Sequence, residues 1–165
     1  MKASSDVRPA SAQDAAACLA IYRPYVQNTA ISWEIDVPTF GEIAARIGTL
    51  RATQEWLVLE RDDQIIGFAY GQPLKRLAAF QWATETGMST SPITSAGGGR
   101  ELYAQLLRRL TERGYRQAFA VRPATAFIDP PGYAARDLLD TAGQDGPVGP
   151  TISSAAGGMR AAKNP

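Results

Sequence analysis

Two β-rich runs, Glu55-Trp56-Leu57-Val58-Leu59-Glu60 and Ile65-Ile66-Gly67-Phe68-Ala69-Tyr70, are separated only by the charged turn Arg61-Asp62-Asp63-Gln64. A linker that short permits only an antiparallel pair, because parallel strands need a crossover of about a dozen residues or more. The chain therefore contains a β-hairpin, and the remaining elements must pack on it. Gly71, Gln72 and Pro73 end its second strand.

The flanks supply helices. Asp6 to Pro9 reads as a short strand, and Ser11 with Asp14 forms a capping box that opens a helix with Ala15, Cys18, Leu19 and Tyr22 on its apolar face. Pro24 is expected to kink or end that helix near Arg23. Residues 27–38 form a connector. Thr39 and Glu42 make a second capping box, and Ile43, Ala44, Ile47 and Leu50 follow at helical spacing. Beyond the hairpin, Ala79 to Glu85 alternates as a strand, with Phe80, Trp82 and Thr84 on one face and Glu85 on the other. Gly97-Gly98-Gly99-Arg100 opens the strongest helix, whose stripe is Leu102, Tyr103, Leu106, Leu107 and Leu110, with Arg108, Arg109, Glu112 and Arg113 toward water. Gly114 is a C-terminal cap, and Tyr115 to Val121 reads as a buried strand. This order predicts an α+β fold with a mixed, mostly antiparallel sheet flanked by helices.

The chain's 165 residues suit one unit. Residues 1–120 read as its core, and 121–165, rich in Gly, Ala and Pro, as an irregular C-terminal segment. Histidine is absent and Cys18 is the single cysteine, which excludes Ser-His and Cys-His catalysis and leaves no ordinary metal-ligand set. With 17 Lys and Arg against 16 Asp and Glu, no basic footprint for nucleic acid exists. No apolar run reaches membrane-spanning length and the N-terminus lacks a signal-peptide core, so a cytoplasmic protein without a membrane partner is expected.

Two features carry chemistry. Unpaired N–H groups at the start of a glycine-rich helix can hold an anion, and glycine lets a phosphate approach closely. A flexible turn is the plain alternative, because no Lys-Ser/Thr follows the run. Glu85, on an aromatic-rich strand, can serve as a general base; a solvent-facing glutamate is the alternative. Cys18, on an apolar helix face, reads as a small core residue.

The order of elements resembles the GNAT acetyltransferase superfamily, and within it the phosphinothricin N-acetyltransferase group. The likeness rests on Val7-Arg8-Pro9-Ala10, Ile21-Tyr22-Arg23-Pro24-Tyr25-Val26, Trp56-Leu57-Val58, Ile66-Gly67-Phe68-Ala69-Tyr70, Pro73-Leu74-Lys75 leading to Ala79 through Glu85, and Gly99-Arg100-Glu101-Leu102-Tyr103. It implies an N-acetyltransferase that uses acetyl-CoA as cosubstrate, without a metal, on the amine of a small amino-acid-like acceptor. Glu85 would be the general base. Gly97, Gly98 and Gly99, with Thr94 and Arg100, would hold the cofactor's diphosphate beside splayed central strands. Trp33, Glu34 and Phe80 match segments that wall the acceptor pocket. Relatives often dimerise, which leaves room for a homodimer.

The chain also departs from that pattern. Thr94 stands where the group carries Arg or Gln, Gly87 to Pro92 replaces a Val-x-Val type strand, and no residue matches the helper of the departing thiolate. The alternative function is a catalytically silent GNAT-like binding or interaction module.

Overall fold

The hairpin turns on Asp62 and Asp63, whose φ values of 50° and 59° are left-handed. Two successive positive φ angles match the right-handed twist of the flanking strands, and short Asp side chains tolerate them. In this computed structural model, residues 5–29, 32, 34–75, 78–94, 96–123 and 151–157 are described. The strands are β1 (Ser5–Pro9), β2 (Trp56–Arg61), β3 (Gln64–Pro73), β4 (Ala83–Thr90), β5 (Gln117–Pro123) and β6 (Thr151–Gly157). They form one sheet in sequence order, antiparallel from β1 to β4 and parallel from β4 to β6. The helices are α1 (Ala15–Asn28), α2 (Phe40–Thr53) and α3 (Ala96–Glu112).

β2 is apolar on both sides because both faces of the sheet are covered. Trp56 and Val58 pack with Cys18, Leu19, Ile43 and Ile47 of α1 and α2. Leu57 and Leu59 pack with Leu102, Leu106 and Leu110 of α3. Alternation along one strand thus feeds two cores. Both capping boxes form: Ser11 N–H donates to Asp14 Oδ2 at 2.7 Å, and Thr39 N–H to Glu42 Oε2 at 2.6 Å. Gly114, at φ 95°, closes α3, with its N–H donated to the Thr111 carbonyl and that of Tyr115 to the Leu110 carbonyl. Those two bonds are a Schellman cap.

The structure corrects several expectations. α1 continues through Pro24 to Asn28. Proline removes one N–H from the helix interior, and packing of Cys18, Leu19 and Val26 carries the helix across that loss. β4 begins at Ala83, not Ala79; residues 78–80 form a 3-10 turn and the strand runs on to Thr90. Arg109 and Arg113 do not simply face water. They clamp the buried carboxylate of Glu55, at 3.1 Å and 2.5 Å, fastening α3 to the start of β2. In the segment read as irregular, β5 extends to Pro123 and Thr151 to Gly157 adds a sixth strand parallel to it; the rest of 121–165 lies outside the described residues.

Candidate active site

Pairing between β4 and β5 joins Ala83 to Gln117, Thr84 to Ala118, Glu85 to Phe119 and Thr86 to Ala120, and ends there. Both strands continue, but apart: Gly87 to Thr90 pair with β3, while Val121 to Pro123 pair with β6. Among the described residues, the edge of Gly87–Thr90 that faces β5 therefore has no ladder partner. The sheet opens immediately after Glu85 and Thr86.

Strand alternation sorts the side chains at this opening. Thr84 and Thr86 face α3: Thr86 Oγ1 lies 2.8 Å from the Tyr103 hydroxyl, and Thr84 Oγ1 donates to Gln54 Oε1. Glu85 and Gly87 face the α1 and α2 side, where Tyr70, opposite Gly87, stacks on Trp56 at 4.8 Å. The half-buried Glu85 thus shares its face with an aromatic row on the neighbouring strands, whereas the sequence pattern set it opposite the aromatics of its own run. Burial pushes the Tyr70 phenol up to about 12, with Tyr22 and Glu85 adding to the effect, so it stays protonated at neutral pH.

The glycines lie within the first turn of α3. The first N–H groups of a helix lack partners within it. Gly97 is exposed, and a Cβ placed there meets nothing within 4 Å. Gly98 is different: its Cβ would come 3.0 Å from Leu59 Cδ2 and 3.2 Å from Thr94 Cγ2, a tight approach to β2 that a side chain could enter only if those groups gave way. Thr94 braces this turn by donating its hydroxyl to the Ile66 carbonyl at 2.6 Å. That same carbonyl accepts from Ser91 N–H at 2.8 Å. Arg100 is exposed in the same helical turn.

Phe80 sits in the 3-10 turn, with Lys75 Nζ 5.4 Å from its ring centroid. Glu34 pairs with Arg46 of α2. Trp33 lies outside the described residues. Cys18 is fully buried and burial pushes its thiol up to about 12, as suits a core residue. Sequence reasoning missed Tyr70 and Arg46, and no local motif marks either. Only the register with β4 and the fold of the connector bring them to this face.

No protein-family model matches the chain. The solved ribosomal-protein-alanine N-acetyltransferase of Brucella melitensis superposes with a TM-score of 0.73 at 25% identity, covering 84% of this chain and 83% of that one. In both fold and sequence the chain is similar to GNAT N-acetyltransferases, a class of acyltransferases. Within that class, the similarity is to phosphinothricin N-acetyltransferases. The one from Streptomyces viridochromogenes is 29% identical over 144 residues, 84% of this chain and 79% of the relative. The GNAT superfamily phosphinothricin acetyltransferase of Sinorhizobium meliloti, solved in complex with AcCoA, is 29% identical with a TM-score of 0.68, covering 72% of this chain and 65% of that one. Among the described residues, no helix is long and apolar enough to cross a membrane.

Proposed function

We propose that the chain transfers the acetyl group of acetyl-CoA to the amine of a small amino-acid-like acceptor in the cytoplasm, with Glu85 as general base. The observation that carries this reading is the parting of β4 from β5 directly after Glu85 and Thr86. Its open edge offers backbone donors to a thioester carbonyl. Thr90 lies five residues beyond Glu85, roughly 17 Å along an extended strand, a distance that an outstretched pantetheine arm can bridge. The helix start at Gly97–Gly99 then takes the diphosphate through backbone N–H groups and the helix dipole. Thr94 enters as the brace of that turn and Arg100 as added positive charge. Trp33, Glu34 and Phe80 belong to the segments bordering the acceptor.

The acceptor arrives as an ammonium and cannot attack until it loses a proton, which Glu85 takes directly or through water. The neutral amine then adds to the thioester carbonyl, whose oxygen gathers negative charge stabilised by the β4 backbone donors. Collapse breaks the C–S bond, and CoA leaves as a thiolate that takes the second proton from nitrogen. The similarity to phosphinothricin acetyltransferases makes phosphinothricin the acceptor to try first.

Calorimetry with acetyl-CoA, followed by thiol release with phosphinothricin, tests this. Glu85→Gln should leave acetyl-CoA affinity unchanged and lower kcat/KM by about 10²-fold or more. An unchanged rate in that variant removes Glu85 from the mechanism. A chain that binds acetyl-CoA yet turns over no amine supports the silent binding module instead.

A further inference from the structure

The connector between α1 and α2 is tied down by one compact polar cluster. Glu34 Oε1 accepts from Arg46 Nη1 at 2.5 Å and from the Tyr22 hydroxyl at 3.4 Å, while Oε2 accepts from Arg46 Nη2 at 3.4 Å. Ser32 Oγ lies 2.8 Å from the Tyr22 hydroxyl and accepts the Glu34 N–H at 3.1 Å. Tyr22 in turn sets its ring edge-on against Phe68, at 6.3 Å and 79°. Tyr22, Glu34, Arg46 and Glu85 all act electrostatically on the Tyr70 phenol.

An ion pair with side chains 42% and 29% exposed is worth about 0–1 kcal/mol to the fold. Its two-point geometry specifies position more than it stabilises. Both carboxylate oxygens of Glu34 are engaged, so the group is poorly disposed to grip an incoming ammonium. We propose that Arg46 is a positioning residue for the acceptor pocket: through Glu34 it pins the connector against α1, on the sheet face that Glu85 shares, and so sets the pocket's wall. This deepens the acetyltransferase reading, because it takes the Glu85 face as the acceptor side.

The pin and a direct role for Glu34 predict opposite signs. If Glu34 gripped the acceptor's ammonium, Arg46→Ala would release it and lower the KM for phosphinothricin. With the pin, Arg46→Ala raises that KM about tenfold, because a wall misplaced by an ångström costs that much or more. Acetyl-CoA affinity by calorimetry stays unchanged, and Arg46→Lys, which keeps the charge and one bond, recovers part of the loss. A KM in Arg46→Ala equal to or below the parent's overturns the proposal.

Hydrogen exchange gives a readout without turnover. In Arg46→Ala the amides of residues 34–37 should exchange about tenfold faster, with α2 protection retained. Glu34→Gln, which keeps the shape and removes the charge, should reproduce the effect. Unchanged exchange in both variants rejects the pin, whereas a parent chain that neither binds acetyl-CoA nor releases thiol rejects the acetyltransferase reading.

Discussion

Gly87→Ala probes how the candidate active face is packed. A methyl carbon at residue 87 would lie 2.5 Å from Tyr70 Cζ, 2.6 Å from its hydroxyl oxygen and 2.8 Å from Cε1. The ring cannot swing aside freely, because it stacks on Trp56 at 4.8 Å and 20°. Overpacking of this kind costs about 1–3 kcal/mol, and loosening an aromatic pair adds about 0.5–1.5 kcal/mol. Replacing glycine inside a strand returns about 0.5–1 kcal/mol. The net expectation is a loss of about 2 kcal/mol, near the centre of the overpacking range. For a chain of this size that lowers Tm by roughly 4–8 °C. Urea unfolding of a double-mutant cycle isolates the cause. In a Tyr70→Leu background the same Gly87→Ala change should cost nothing or stabilise slightly, giving a coupling of about 2 kcal/mol. A Tyr70→Phe background, which keeps the ring, should retain most of the cost. Equal costs in the Tyr70 and Tyr70→Leu backgrounds would refute the claim that this ring occupies the space above Gly87.

Other parts of the fold give direct tests. Glu55→Gln strips the charge from the Arg109 and Arg113 clamp and should cost about 2 kcal/mol in urea melts, the scale of hydrogen bonds to charged groups; a change within error would make that clamp a surface ornament. The Arg8 guanidinium, aided by Ser11 and opposed by burial, holds the Asp14 carboxyl below its ordinary range. Its folded-state pKa being depressed, Asp14 stabilises the fold above the unfolded value near 4 and that contribution fades as pH falls through the folded value. Asp14→Asn should therefore destabilise at pH 7 and converge with the parent in acid melts; a cost that persists undiminished at low pH would contradict the ion pair as its origin. Cys18 should resist a thiol reagent in the native state and react on unfolding, and rapid native labelling would place it outside the core. Gly97→Ala should raise stability by about 0.4–1 kcal/mol while weakening acetyl-CoA binding in calorimetry; unchanged affinity would free the helix start of any part in holding the diphosphate.

What was legible in the sequence is what short-range chemistry decides. Two capping boxes, the hairpin and its turn, the leucine stripe of α3 and the Gly114 cap each depend on residues within a few positions of one another. Pro24 does not end α1, because tertiary packing of Cys18, Leu19 and Val26 offsets the local cost of one missing N–H. The strand carrying Glu85 was placed early, since Phe80 and Trp82 carry high β propensity while Gly87-Met88-Ser89-Thr90 does not. Pairing with Gly67 to Tyr70 overrides that preference. The side of the sheet that Glu85 faces followed from the corrected register. For the candidate site, Glu85 and the glycines stood out by residue type, whereas Tyr70 and Arg46 did not, because only chain segments folded together from afar bring them to that face.

The three glycines show how one short motif divides between structure and chemistry. Each costs a helix about 0.8–1 kcal/mol relative to alanine in its interior, and less in the first turn. Gly98 has a packing reason, because a Cβ there would press on Leu59 at 3.0 Å. Gly97 has open space around it and no such return within the fold. Its glycine is tolerated because Leu102, Leu106 and Leu110 anchor the helix along the sheet. A helix held by its middle and its C-terminal cap is free to leave its first turn to other uses. The backbone at Gly97 thus stays reachable from solvent in the first turn of α3, the element that follows β4 with its Glu85, and under the proposed function this succession would join the helix start that takes the diphosphate to the group that takes the proton.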